Sequence, residues 1–197
     1  MKVVFASNNA HKVSEFKSCL ADAGLDIEIL TIKETGFTGD IIESADTFKG
    51  NAYIKAKTLS DYTGLIAIAD DSGLSVDALN GAPGVYSARF AGEDATDSDN
   101  IQKLLAELKD KPERSAKFVC TICVCRPDGE TLYVSGESKG EIIDERRGDG
   151  TFGYDPVFYY PPFDKTFAEM TSDEKNSISH RGRAVEELLK HTDFFLK

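Results

Sequence analysis

Two short apolar runs separated by a helical pattern constrain the fold of this chain more than any other feature. Lys2–Ala6 (KVVFA) and Leu65–Ala69 (LIAIA) each have the length and composition of a buried strand. Between them, Thr47 is placed to cap a helix that Gly64 would end. Strands that are apolar throughout are typical of sheets covered by helices on both faces. The order of elements therefore predicts an α/β fold.

Further patterns complete the predicted element order. The segment RPDGE lies between the strand-like runs Lys117–Cys125 and Thr131–Val134 and predicts a hairpin, so the sheet should be mixed. The region Asp70–Gly92 is rich in turn-forming residues and is predicted to be mostly loop. The remaining predictions are a helix from Val13 ended by Gly24, strands at Ile27–Leu30 and Gly140–Ile143, a helix containing Ile101, Leu104, Leu105 and Leu108, and a last helix capped by Ser179.

The composition limits the classes to which the chain can belong. With 197 residues, 41% of them hydrophobic, it can bury a substantial core, and we predict a single domain over residues 1–197. It has no apolar run of the roughly 18 residues that a membrane span needs, and no signal-peptide pattern. The four cysteines do not suggest a disulfide framework in a chain of this size, so we expect a cytoplasmic protein.

The formal net charge of the chain is −11. Such a surface repels nucleic acid and anionic lipid, so neither nucleic acid nor a membrane is an expected partner. A small anion can still bind where lysines, arginines, backbone donors or a bridging metal ion offset the negative charge.

Three motif matches in the second half are rejected on their context. Gly136–Gly140 matches the serine-hydrolase pattern G-x-S-x-G, which requires a sharp turn from strand to helix, whereas both flanks here are strand-like. Gly148–Gly153 matches a dinucleotide-binding pattern, but the nearby Pro156 disfavours the helix that this pattern needs. Odd spacing in a strand puts Cys120 on the face opposite Cys123 and Cys125, which predicts core residues and not zinc ligands.

Asp70 and Asp71 follow directly after the second buried strand. In open α/β sheets, ligands commonly bind in the crevice at the carboxyl ends of the strands. Two adjacent carboxylates are costly there unless a cation or hydrogen bonds offset their repulsion. Because Mg²⁺ prefers hard oxygen ligands, the pair is a candidate magnesium site, with Glu43 as a third candidate ligand. The alternative is that Asp70 caps a turn and Asp71 is solvated.

The turn Ser7–Lys12 (SNNAHK), where the first strand meets a helix, is a candidate anion site. A helix N-terminus offers unpaired N–H groups and the positive end of its dipole. Helix capping by Ser7 or Asn8 explains the same residues without a ligand. Further candidate basic groups are Lys55, which shares a helix face with Asn51, and the cluster of Lys175, His180 and Arg181, with ordinary surface charge as the alternative.

Five segments, collinear from Lys2 to Leu189, carry a family resemblance: FASNNAHKVSEF, TFKGNAYIKAK, IADDSGLSVDALNGAPGVYSARFAG, GYDPVF and EKNSISHRGRAVEELL. They resemble the inosine triphosphate pyrophosphatase-like family of XTP/dITP diphosphatases. The resemblance implies an elongated mixed sheet flanked by helices, with two lobes around a central cleft, and a homodimer. It also implies Mg²⁺-dependent hydrolysis of ITP, dITP and XTP to the monophosphate and diphosphate, which removes deaminated purines from the nucleotide pool.

By position, the resemblance assigns a role to each candidate residue. Asp71 would be the catalytic acid/base and a metal contact, with Glu43 and Asp70 as further metal ligands. Ser72 would contact the substrate, and Lys55 its phosphates. The other substrate-binding residues form a triphosphate group, Ser7, Asn8, Asn9, Ala10, His11 and Lys12, and a base group, Phe152, Gly153, Tyr154, Asp155, Lys175, His180 and Arg181. The chain departs from the family pattern at Ser7, where threonine is more usual, and at His11 and Thr151, where glycine is common.

Hydrogen-bond polarity predicts which base such a site selects. Hypoxanthine and xanthine carry an acceptor oxygen at C6, where adenine carries an amino donor. Lysine and arginine only donate, so Lys175 and Arg181 favour the deaminated bases. Two other functions stay open: a Maf-like pyrophosphatase for pyrimidine or modified nucleotides, and a nucleotide-binding protein without catalytic activity.

Overall fold

Seven strands form one sheet in the computed structural model, which describes residues 1–149 and 152–195. In chain order they are β1 (Lys2–Phe5), β2 (Glu28–Thr31), β3 (Ile66–Val76), β4 (Ser115–Cys125), β5 (Thr131–Ile142), β6 (Phe158–Tyr160) and β7 (Lys165–Thr166). Across the sheet the order is β2-β1-β3-β4-β5-β6-β7. Strand β1 pairs in parallel with β2 and β3, whereas β6 pairs antiparallel with β5 and β7. The predicted mixed sheet is confirmed.

The described residues also form six α-helices, α1 (Ala10–Asp22), α2 (Phe48–Thr63), α3 (Asp97–Leu108), α4 (Ser172–Ile178), α5 (His180–Leu189) and α6 (Thr192–Phe195). Helix α2 has the predicted ends: the Thr47 side chain accepts a hydrogen bond from the Gly50 N–H, and Gly64 adopts the left-handed conformation that closes the helix. Among the residues that the structure describes, no helix combines the length and the apolar character that crossing a bilayer requires.

The backbone divides into two compact units, the first formed by Met1–Asp71, Cys120–Gly136 and Gly182–Lys197. Both faces of β1 are covered within this unit. Val3 and Phe5 belong to one cluster of buried residues, and Val4 and Ala6 belong to another. This is the burial expected of a strand that is apolar throughout. The prediction of one domain over the whole chain stays a prediction.

The second unit is formed by Ser72–Val119 and Glu137–Arg181. Its core is built around three phenylalanines, with the Phe118 ring centroid 4.6 Å from that of Phe158 and 5.6 Å from that of Phe167. Leu74 and Val76 at the end of β3, together with residues of α3, pack into the same cluster.

Two boundary predictions are wrong. The segment after Asp70 is predicted to be mostly loop, but β3 continues through Val76. The residues DDSG have weak strand propensity, but alternate residues such as Leu74 are fully buried, and their burial stabilises the strand. Gly140–Ile143 is not a separate strand either. It belongs to β5, which runs unbroken from Thr131 to Ile142.

The three rejected motifs lie in settings that fit their rejection. Ser138 is fully buried inside β5, and turn residues lead from Gly153 into β6, while Gly150 of the second motif lies outside the described residues. Cys120 lies in one core cluster of the first unit, and Cys123 and Cys125 lie in the other. The Cys120 thiol is therefore on one face of β4, and the other two thiols are on the opposite face. Burial also raises the pKa of Cys123 to about 12, which disfavours the thiolate that a metal would need.

Strands β5 and β6 pack so closely that one position admits only glycine. A Cβ on Gly140 would lie 2.4 Å from the Tyr159 carbonyl oxygen and 2.7 Å from the Phe158 ring. Gly140→Ala should therefore lower the free energy of unfolding by about 1–3 kcal/mol, measured by urea denaturation. The exposed neighbour Lys139 provides the control, since Lys139→Ala should change the same quantity by no more than about 0.5 kcal/mol. Equal stability of the two variants would contradict the packing described.

Candidate functional site

A lysine and two carboxylates meet in the first unit. Helix α2 carries Lys55, whose Nζ lies 2.6 Å from Oε2 of Glu43 and 3.4 Å from Oδ1 of Asp71. The side chains of Lys55 and Asp71 are 11% and 13% exposed and so largely removed from solvent, whereas Glu43 is 37% exposed. Asn51, one turn earlier on the same helix face, donates a hydrogen bond of 3.2 Å from Nδ2 to Oδ2 of Asp71.

Asp70 takes part in a second pair. Its Oδ2 lies 2.9 Å from Nζ of Lys12 on α1, and the Asp70 side chain is only 2% exposed. The Cys120 thiol of β4 donates a weak hydrogen bond of 3.9 Å to the same oxygen. A carboxylate so deeply buried is tolerated because it is paired and hydrogen-bonded.

The strand geometry of β3 explains why the two aspartates have different partners. Successive side chains of a strand point to opposite faces, so Asp70 meets Lys12 of α1 while Asp71 meets Lys55 of α2. The alternative in which Asp70 caps a turn and Asp71 is solvated does not describe these contacts. The turn-forming residues predict a loop for both aspartates, and a loop would not separate them in this way.

The electrostatics of this cluster shift the pKa of Asp71 upward. Burial is the main cause of this shift. The charge of Lys55 and the hydrogen bond from Asn51 lower the pKa, and the charge of Glu43 raises it. The result is a pKa above the ordinary aspartate value. For Lys55, burial lowers the pKa, but the charges of Asp71 and Glu43 outweigh burial and raise it. The ammonium therefore stays charged, and Asp71 is a stronger proton acceptor than a surface aspartate.

The turn before α1 caps its own helix. The Ser7 hydroxyl oxygen accepts the Asn9 N–H at 3.1 Å, and Oδ1 of Asn9 accepts the Lys12 N–H at 3.2 Å. The side-chain oxygen that caps α1 therefore belongs to Asn9, and not to Ser7 or Asn8 as the capping alternative has it. Asn8 precedes the helix, which begins at Ala10. The side chain of His11 lies outside the described residues, and a triphosphate role for this turn stays a prediction.

A second group of predicted residues gathers in the other unit. Lys175 on α4 forms an ion pair with the buried Asp155, and its Nζ lies 5.7 Å from the Phe152 ring centroid and 5.6 Å from that of Phe167. The structure thus brings together three residues assigned to the base. Phe152 is 51% exposed, so about half of this residue's surface is accessible.

The remaining members of the base group have structural contacts. The Tyr154 hydroxyl donates to the Ser87 carbonyl oxygen at 2.8 Å, and the Gly153 N–H donates to Asp97 at 2.7 Å. The ring of His180 stacks on Phe118, with centroids 5.0 Å apart.

The basic cluster is divided between two helices, because α4 ends at Ile178 and α5 begins at His180. The start of α5 directly after Ser179 agrees with the predicted beginning of that helix, and Lys175 lies on the helix before it. Arg181 is half-buried in the first turn of α5, and Ser72 is half-buried in β3 directly after Asp71.

The donor set fits a divalent cation. Glu43 and Asp71 converge on one ammonium nitrogen, so a positive charge is already accommodated between hard oxygen donors. Two ammonium groups, Lys12 and Lys55, face three carboxylates, which leaves one excess negative charge when all are ionised. Within residues 1–149 and 152–195, no three His, Cys, Asp or Glu side chains converge closely enough to hold an ion alone. Mg²⁺ usually needs only one or two protein carboxylates, because water and substrate phosphates complete its coordination shell.

Sequence reasoning did not assign Asn51 to the site, although its four-residue spacing from Lys55 was a usable signal. The spacing shows a shared helix face, but nothing local shows that the face meets β3. Cys120 was correctly placed in the core, and its contact with Asp70 had no sequence signal at all.

Comparisons with known proteins agree with the fold. Residues 3–191 match the model of the Ham1 family. The chain belongs to the Ham1 family. A dITP/XTP pyrophosphatase of Lactobacillus acidophilus is 54% identical to this Ham1-family chain over 194 residues, covering 96% of each. One of Clostridium perfringens is 49% identical over 204 aligned residues, covering 100% of this chain and 99% of the relative. The solved structure of a HAM1 protein from Coxiella burnetii is similar with a TM-score of 0.92 at 44% identity, covering 98% of both chains.

The Lys55 ammonium should control the pKa of Asp71 in this Ham1-family chain. Lys55→Met removes the largest influence that lowers this pKa and leaves Glu43 facing Asp71, so the pKa of Asp71 should rise further. A titration of the Asp71 carboxyl carbon by NMR measures the change. Lys57→Met is the matched control, because Lys57 lies on the same helix but pairs with Asp61 at the surface. An unchanged Asp71 titration in Lys55→Met would contradict the geometry.

Proposed function

We propose that this chain hydrolyses dITP, ITP and XTP to the nucleoside monophosphate and diphosphate. Water forms a new P–O bond as one P–O bond of the anhydride bridge between the α and β phosphates breaks, diphosphate leaves, and one proton is released. The names of relatives that match the whole chain support the substrate class. The observation in this chain that carries the proposal is Asp71: a carboxylate that is only 13% exposed, has a raised pKa and contacts a lysine and an amide.

Asp71 is the proposed proton acceptor for the attacking water. A general base works best when its pKa lies near the operating pH, and burial moves the pKa of Asp71 in that direction. The two oxygens of Asp71 have different partners, so the carboxylate is held in one orientation. A fixed acceptor of this kind suits abstraction of a proton from a positioned water.

Lys12 and Lys55 are the proposed phosphate-binding side chains. In the structure each pairs with carboxylates of the protein, which keeps it charged and in place. A triphosphate offers several anionic oxygens, so these lysines would exchange carboxylate for phosphate contacts when the substrate binds. Positioned cations next to the bond that breaks stabilise the charge that develops on phosphate in the transition state.

Mg²⁺ is the proposed cofactor, with Glu43 and Asp71 as the carboxylates that would hold it and Asp70 next to them. When bound, the ion would supply positive charge to neutralise the phosphate oxygens and orient the triphosphate. The support from this chain is the donor set, in which Glu43 and Asp71 already face one cation.

The base group of the second unit is proposed to select the purine. Lys175 would donate to the acceptor oxygen at C6 of hypoxanthine or xanthine, and the exposed ring of Phe152 would stack on the base. Adenine presents an amino donor at C6, so the lysine would face another donor. Mismatched buried donors reduce specificity constants by about 10⁴-fold or more.

The expected partner is therefore a small nucleoside triphosphate. The excess of acidic residues, 34 against 23 basic ones, disfavours nucleic acid. The homodimer implied by the family resemblance and the cytoplasmic location expected from the cysteine content stay predictions.

Asp71→Asn tests the assigned base. Asparagine keeps the size of the side chain but cannot accept the water's proton, so kcat for diphosphate release from dITP should fall by about 10²–10⁴-fold. Circular dichroism should show an unchanged fold. Asp61→Asn is the matched control, because Asp61 is an exposed aspartate of α2 whose loss should leave kcat unchanged. Retained turnover in Asp71→Asn would move the base to another residue.

A substrate panel separates the proposed function from the two that stayed open. With Mg²⁺, diphosphate release from ITP and XTP should exceed release from ATP and dTTP by about 10²-fold or more. Preferential cleavage of dTTP or UTP would favour a Maf-like enzyme. Stoichiometric binding of ITP with no diphosphate release would favour a non-catalytic binding protein.

A further inference from the structure

We propose that Asn51 is a positioning residue for the hydrolysis, because its side-chain amide holds the Asp71 carboxylate and the Glu43 segment in fixed relation. This inference rests on the proposed function, since it assigns Asn51 an effect on the same reaction. Asn51 is 1% exposed and lies in the first turns of α2. It cannot be an ordinary surface residue of that helix.

The orientation of the Asn51 amide is determined by its two partners. Oδ1 accepts the Ala45 N–H at 2.9 Å, and Nδ2 donates to Oδ2 of Asp71 at 3.2 Å. A backbone N–H can only donate and an ionised carboxylate can only accept. The reverse orientation of the amide would oppose donor to donor and acceptor to acceptor, so the amide can sit in only one way.

The Ala45 contact connects Asn51 to the second carboxylate. Ala45 lies two residues after Glu43, whose Oε2 contacts Lys55 at 2.6 Å. The segment approaches α2 so closely that a Cβ on Gly50 would lie 2.5 Å from the Cβ of Ala45. Glycine at position 50 therefore permits the segment to lie close to α2, and the hydrogen bond from Ala45 to the Asn51 amide holds the segment there.

The bond to Asp71 makes its two oxygens unequal. Asn51 occupies Oδ2, while Oδ1 faces Lys55 at 3.4 Å. Rotation of the carboxylate would break the Asn51 bond, so Oδ1 remains the oxygen on the side of the lysine. Misplacement of a catalytic group by about 1 Å can cost on the order of 10²-fold in rate. Loss of the Asn51 donor should therefore act on kcat.

Asn100 offers a matched control in the other unit. It is 2% exposed and lies on a helix, its Oδ1 accepts the Ala91 N–H at 2.7 Å, and its Nδ2 donates to the Ala88 carbonyl oxygen at 3.1 Å. Burial, helical setting and acceptor bond therefore match those of Asn51. The difference is that Asn100 donates to a backbone carbonyl and not to a carboxylate.

The experiment compares Asn51→Asp with Asn100→Asp in the full-length protein. Each variant keeps the acceptor and loses the donor. We expect both to lower the melting temperature. For Asn51→Asp, kcat for dITP per folded molecule should fall by about 10²-fold while KM changes by less than about threefold. For Asn100→Asp, both constants should stay at wild-type values per folded molecule.

Asn51→Ala provides a second variant that removes both bonds without adding a charge, and the same fall in kcat at nearly constant KM is expected. Wild-type kcat in the folded fraction of either Asn51 variant would overturn the positioning role, as would an equal loss of kcat in Asn100→Asp. A wild-type protein that releases no diphosphate from any purine triphosphate would overturn the proposed function itself. The two failures are thus distinguishable.

Discussion

One ammonium group holds together the carboxylates on which the proposed chemistry depends. Nζ of Lys55 contacts both Glu43 and Asp71, and the side chains of Lys55 and Asp71 are largely removed from solvent. These two charges are stable only in combination, since removal of either one leaves the other largely buried and uncompensated. The same arrangement leaves Asp71 with a raised pKa and Lys55 with its charge. The contacts of Lys55 that hold the two carboxylates together therefore also influence the pKa on which the proposed chemistry depends.

The arrangement depends on a simple property of a strand. Asp70 and Asp71 are neighbours in β3 and point to opposite faces, so each aspartate meets a different helix. Lys12 reaches the strand from α1, and Lys55 reaches it from α2, whose start Thr47 defines. Two like charges that would repel each other in a loop are separated by the pleat of the strand, and each receives its own cation.

Local signals were sufficient for some of these elements and insufficient for others. The cap at Thr47, the stop at Gly64 and the burial of the β4 cysteines follow from residue type and spacing alone. The extension of β3 beyond Asp70 does not, because turn-forming residues there are overruled by the burial of Leu74 and Val76 in the second core. The four-residue spacing does predict that Asn51 shares a helix face with Lys55.

The contacts within the site lie beyond any local signal. Lys12 and Asp70 are 58 positions apart, and Asn51 and Asp71 are 20 apart, so only the fold brings them together. The family resemblance named most of the residues but none of these pairings. Side-chain partners such as Cys120 for Asp70 belong to no motif and emerge only when the strands are placed next to each other.

The pairing of Lys175 with Asp155 has a consequence for molecular recognition. An ammonium group carries three hydrogens, so the carboxylate does not use up its donors; it fixes the direction in which the remaining N–H groups of Lys175 point. In the proposed function, those directed donors would favour a ring that presents a carbonyl oxygen over one that presents an amino group. Asp155 would then contribute to the choice of purine without contacting the base.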